Sequence, residues 1–154
     1  MTHVPFRGIP QSDYRLFHPE KERGTVILGL RTDKPEAELY LYDGQKKLGE
    51  KKWQAHRELA ETIHKQINKL LMLQGLSLQQ IEGIVCFKGP GSFTGLRISL
   101  SVANALAYAQ AIPIVAKHGE KWIESGIKDL LAGKKDRIAL PYYDRPAATT
   151  PPRK

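Results

Sequence analysis

The residues best placed to do chemistry lie together in KGPGSFTGLR, Lys88 to Arg97. Gly89, Gly91 and Gly95 free the backbone, Ser92 and Thr94 add hydroxyls, and Lys88 and Arg97 bracket the run with positive charge. Backbone N–H groups in such a turn, with a helix starting behind them, can hold a phosphate. The spacing does not match the established phosphate loops. A Walker A loop places its lysine after the glycines, whereas Lys88 precedes them. The dinucleotide fingerprint needs its third glycine one residue before Gly95, and no acidic ribose partner is evident. The same residues also make a tight structural turn, with Ser92 or Thr94 as helix N-cap, and this reading is favoured over the cradle.

Other reactive side chains offer less. His56 and His64 are separated by twice the four-residue step that stacks two metal ligands on neighbouring turns. Ser92 is not in a G-x-S-x-G elbow, and no histidine or aspartate is spaced to partner it. The acidic residues form no carboxylate pair. Cys86, the single cysteine, sits in the apolar run GIVCF, where a buried thiol is expected; one cysteine excludes an intrachain disulfide. The sequence therefore contains no complete active site and no metal site.

The elements that must position the loop follow from periodicity. Thr25 to Leu30 (TVILGL) reads as a strand buried on both faces. Ala37 to Gly44 reads as a second strand ending in the hairpin signal Asp43-Gly44, and lysine-rich Lys46 to Gln54 as an exposed returning strand. From His56 to Gln74 the period becomes helical, with Leu59, Ile63, Ile67, Leu70 and Leu71 on one face and Gly75 at the C-cap. Gly83 to Phe87 is a buried strand, Leu96 to Tyr108 a helix, Ile112 to Ala116 a fourth buried strand. A last helix falls within Gly119 to Gly133, weakened by Gly126. The order βββαβαβα predicts an α/β fold with a mixed sheet: a meander, then parallel strands joined by crossover helices. Residues 1–24 read as an irregular arm, 25–133 as a single lobe, and 134–154 as an extended, proline-rich tail.

The helix after the loop has an unusual surface. Gly95, Ser99, Ala103 and Ala107 recur every four residues, and so do Ser101, Ala105 and Ala109. Small side chains at that spacing let another backbone approach closely. They fit burial within the domain and packing against another chain equally well.

Composition sets the outer bounds. A chain of 154 residues suits one domain, and 41% hydrophobic residues suffice for a core. Net charge of +8 permits an anionic partner, but the positive residues are scattered and fit a solvated surface better than a nucleic-acid site. With no signal-peptide pattern and no membrane-length apolar run, the expectation is a soluble, cytoplasmic protein.

GPGSFTGLR, between a buried strand and a small-residue helix, closely resembles the signature of the TsaB (YeaZ) family, dimerisation subunits of the bacterial machinery that makes threonylcarbamoyladenosine on tRNA. ILGLRT, ELYLYDG, AHRELAETI, IPIVA and the tail LPYYDRPA resemble the family's surrounding elements, so the likeness spans Thr25 to Ala116 plus the tail. It implies the actin-like, sugar-kinase-like (RNase H-like) fold. It also implies a subunit without catalysis of its own, paired with the catalytic subunit TsaD through the first two helices, with a TsaE-type ATPase joining and tRNA contacted indirectly. Leu59, Ile63, Ile67, Leu96, Ser99, Leu100, Ala103 and Ala107 would then lie at or near that interface. Gly89, Gly91, Ser92, Thr94 and Gly95 would be a degenerate nucleotide loop. No cofactor or metal is implied, and any ATP would belong to the partner or a complex interface.

Two departures refine this. Arg31 stands where the family carries an aspartate at the end of its first strand, which argues against ATP hydrolysis; Asp33, two residues on in a turn whose course the sequence does not set, is not expected to take over. Too few residues separate IPIVA from the tail to build the family's second lobe. The expectation is a minimal, single-lobe scaffold that binds a TsaD-type transferase. The rivals are a small nucleotide-binding, ATPase-like enzyme using Gly89 to Gly95, and a self-associating homodimeric module.

Overall fold

The structure is a computed structural model that describes residues 25–141. The expected arm at 1–24 and the tail beyond Pro141 lie outside the described residues. Five strands and three helices follow in order: β1 (Val26–Arg31), β2 (Glu36–Asp43), β3 (Lys46–Gln54), α1 (Leu59–Leu73), β4 (Gly83–Phe87), α2 (Phe93–Gln110), β5 (Ile114–Lys117) and α3 (Trp122–Leu131). Single 3-10 turns at His56–Glu58 and Leu78–Gln80 flank α1.

One sheet runs β3-β2-β1-β4-β5. β1, β2 and β3 pair antiparallel, and β4 and β5 continue from β1 in parallel. This is the mixed sheet expected from the order of elements. Asp43-Gly44 makes the hairpin, with Gly44 at φ +62°. β1 and β4 are buried along almost their whole length, while lysine-rich β3 is the half-exposed edge.

β3–α1–β4 and β4–α2–β5 cross the sheet in the same direction. Right-handed crossovers therefore put α1 and α2 on one face, where they touch. The main core lies beneath them: Leu28, Leu30, Leu39, Leu41, Ile63, Ile67, Leu70, Leu71, Ile84 and Leu96, all essentially without solvent exposure. α3 covers the other face. Ile123 lies over Gly29, Leu130 over Gly83, and Gly126 presses on Val85 so closely that a Cβ there would overlap the valine side chain. Gly126 is thus a close-packing position, not merely the weak point that its helix propensity predicts. Trp122 completes this layer, edge-on to Phe87 at 5.8 Å and to Tyr40 at 6.0 Å between ring centroids.

Boundaries moved where caps or proline decide them. α2 begins at Phe93 and not Leu96, because Ser92 caps it directly: its hydroxyl accepts from the Gly95 N–H at 3.3 Å. β5 begins at Ile114, after Pro113, which has no N–H for the ladder. The segment after α3, expected as an extended tail from 134, packs on the body as far as Ala139, whose side chain is buried.

Candidate functional site

The glycine-rich loop leaves the carboxyl end of β4, beside the end of β1. The Gly89–Pro90 peptide is cis. Gly91 lies against Asp33, and Gly95 against the Thr32 backbone, so tightly that a Cβ at either position would overlap its neighbour. The Thr32 hydroxyl donates to the Gly95 carbonyl at 2.6 Å, and the Ser92 N–H donates to the Asp33 carbonyl at 3.4 Å. Gly91 and Gly95 are needed because the turn after β1 leaves no room for a side chain at either position, and Gly89 takes a positive φ of 110°. The amides of Ser92 and Gly95 serve the chain itself.

Asp33, in the turn that follows Arg31, lies against the loop at Gly91. Its carboxylate is already engaged: Arg31 donates to it through Nε at 2.7 Å and Nη2 at 3.2 Å. The same guanidinium sits 3.9 Å above the centre of the Phe87 ring. This arginine ties β1, the turn after it and β4 together. Sequence reading identified Arg31 as a departure but had no signal for its partner, since a two-residue ion pair depends on the local turn.

Beside the loop, Lys88, Ala116, Lys117, His118 and Ser125 line a shallow, polar cleft of about 210 Å³. Lys117 donates to Asp129 at 2.7 Å, and that bond holds the Asp129 carboxyl below the usual carboxylate range. Burial pushes the Cys86 thiol well above its ordinary value, so it is a core residue rather than a nucleophile. Among the described residues no three His, Cys, Asp or Glu side chains gather as a metal site. His64 is exposed, and no helix among them is long and apolar enough to cross a membrane.

The two small-residue rows of α2 part company. Ser99, Ala103 and Ala107 face the core, with Gly95 at the loop end. Ser101, Ala105 and Ala109 face outward, joined by Tyr108, 91% exposed. Leu59, Ile63, Ile67, Leu96, Ser99, Leu100, Ala103 and Ala107 are all buried within the chain, the most exposed at 6%, so a partner would meet their neighbours instead. Apolar periodicity marks the face a helix gives to its own sheet first. On α1 the outer face is charged, with Glu61, Lys65 and Lys69, ending in exposed Met72 and Leu73. From Ile98 to Gln110, α2 has no charged residue on any face.

A five-stranded mixed sheet in this order, with two crossover helices on one face and a third on the other, defines an actin-like, RNase H-like lobe. A family model described as TsaD, tRNA N6-adenosine threonylcarbamoyltransferase, matches residues 53–127. The tRNA threonylcarbamoyladenosine biosynthesis protein TsaB of Escherichia coli is 36% identical over 100 residues, covering 58% of this chain and 43% of that protein. TsaB of Haemophilus influenzae is 35% identical over 63 residues, covering 38% of this chain and 27% of its own length. A tRNA N6-adenosine threonylcarbamoyltransferase of Geobacter sulfurreducens is 33% identical over 88 residues, covering 57% and 24%. Among solved structures, YeaZ from Pseudomonas aeruginosa superposes with a TM-score of 0.56 at 26% identity, over 61% of this chain and 43% of that one. The chain is similar to TsaB/YeaZ proteins, and it spans less than half the length of these relatives.

Proposed function

We propose that this chain is a non-catalytic docking lobe in threonylcarbamoyladenosine biosynthesis on tRNA, and that it holds a TsaD-type transferase against the outer face of α2. The observation that carries this is the exposed, uncharged row Ser101, Ala105, Tyr108 and Ala109. A solvated helix normally carries charge on its outer face, and this one carries none after Arg97. The small residues let a partner helix approach closely, and Tyr108 supplies an anchor. Exposed Met72 and Leu73 would extend the contact at the end of α1. The transferase chemistry would belong to the partner, because the glycine loop spends its polar groups on the Thr32–Asp33 turn. tRNA and any TsaE-type ATPase would be reached through the assembled complex.

The test is co-purification with the TsaD homologue from the same source, using Ser101→Glu and Ala105→Glu. Both positions are exposed, so the variants should melt like the parent and lose the complex. A complex that survives both substitutions would sink the proposal. Self-association through the same face is the second reading, favoured by the same uncharged row. It requires a dimer of the chain alone, read by light scattering and dispersed by Ala105→Glu.

A further inference from the structure

After α3 the chain does not leave the lobe. From Gly133 to Pro141 it forms a strap across the free edge of β5. The Asp136 N–H donates to the Ile114 carbonyl at 2.8 Å, and its Oδ2 accepts from the Ala116 N–H at 2.8 Å. One residue thus occupies both ladder positions of an edge that would otherwise be open. Ala139 is then gripped by the Asn104 side chain on α2. Its N–H donates to Oδ1 and its carbonyl accepts from Nδ2, both at 2.9 Å. A carboxamide can donate and accept in this way at one peptide.

This double fastening fixes which side chains face out. Ala139 is buried at 2%, while its neighbours Ile138 and Leu140 are 53% and 61% exposed. Tyr108 lies one turn beyond Asn104 on α2. Ile138 and Leu140 therefore flank one pinned peptide, and exposed Tyr108 stands one turn along α2 from the residue that pins it. The exposed charges of the strap and of α2 are cationic: Lys135 and Arg137 on the strap and Arg97 on α2, while Lys134 lies near Asp129 and Asp136 is committed to β5.

We infer that the strap is part of the docking surface, and that the partner meets it with an apolar patch rimmed by acidic side chains. This rests on the docking reading of α2. Charge complementarity names the occupant: a cationic rim around an apolar centre is matched by an acidic rim. An RNA backbone would use the lysines but would leave Ile138 and Leu140 without a role.

The test measures the affinity of the full chain for the TsaD homologue from the same source. Parent, Ile138→Glu/Leu140→Glu, Lys135→Glu/Arg137→Glu and Ala105→Glu are compared, each checked for an unchanged melting temperature. The apolar pair should weaken binding at least about thirty-fold, as central anchors do. The charge-reversed pair should slow association and flatten its salt dependence. If Ala105→Glu abolishes binding while both strap variants bind like the parent, the strap is not in the interface and the α2 reading stands alone. If neither site matters, or the parent forms no complex, both are wrong. Should the strap variants lose tRNA affinity and keep the protein complex, the strap is an RNA surface and the inference is overturned. Milder Ile138→Ser/Leu140→Ser replaces the glutamates if those disturb folding.

Discussion

Thr32 and Gly95 are joined twice across the base of the glycine loop. The Thr32 hydroxyl donates to the Gly95 carbonyl at 2.6 Å, and the Thr32 carbonyl fills the space a Cβ at position 95 would need. Because the obstacle is backbone, it cannot rotate aside. In an ordinary helix Gly→Ala gains about 1 kcal/mol, but overpacking costs roughly 1–3 kcal/mol, and a rigid neighbour puts this site at the upper end. Gly95→Ala should therefore lower the urea midpoint despite the better helix former. Thr32→Val keeps the shape and strands a carbonyl, costing about 1–3 kcal/mol. An unchanged midpoint in both would mean that the brace is not tight.

Gly126 poses the same question against a side chain. Gly126→Ala should destabilise by about 1–3 kcal/mol through overlap with Val85. Combining it with Val85→Ala should recover part of that loss, a coupling measured by a double-mutant cycle. Additive effects would show that α3 does not close on the sheet at this point.

Ala103 and Ala105 are two residues apart, yet one is wholly buried and the other exposed. Ala103→Glu puts a carboxylate into the core and should cost several kcal/mol, enough to lose the cooperative thermal transition. Ala105→Glu should leave that transition in place. Gly95→Arg would press on the Thr32 carbonyl, and so it also tests folding and not docking.

Acid should weaken the fold modestly. The Lys117 hydrogen bond holds Asp129 below the usual carboxylate range, and Lys47 does the same for Glu50. The unfolded chain then binds these protons first, so the stabilisation is present above about pH 4 and is lost as pH falls through the lowered values. Lys47–Glu50 is exposed and Lys117–Asp129 only half-buried, so the effect is small. An NMR titration of Asp129 should give a depressed midpoint in the parent, moving back up in Lys117→Met.

Cys86 is fully buried, and burial raises its thiol far above the range of reactive cysteines. A thiol reagent should label it only as fast as the chain opens, and urea should accelerate labelling in step with unfolding. Rapid labelling of the native chain would place Cys86 elsewhere.

Local patterns were enough for the architecture. Alternation marked β2, continuous apolar runs marked β1 and β4, and a 3.6-residue period with Gly75 marked α1, because backbone hydrogen bonding and burial act within short windows. GPGSFTGLR, as a string, pointed to the family. The site needed contacts between distant segments. Asp33 meets Gly91, Thr32 meets Gly95 and Asn104 meets Ala139, and nothing in the intervening residues announces those meetings.

The α2 helix shows where the division falls. Its sequence by itself determined that two rows of small residues run along it, since helical geometry sets that spacing. Which row turns inward was decided by the tertiary structure: Ser92 and the Thr32–Gly95 brace set the start and close approach of the helix, so the Ser99 row went to the sheet and the Ser101 row to the surface. Two rows of similar polarity have similar affinity for a core, and only the packing of the whole lobe tells them apart.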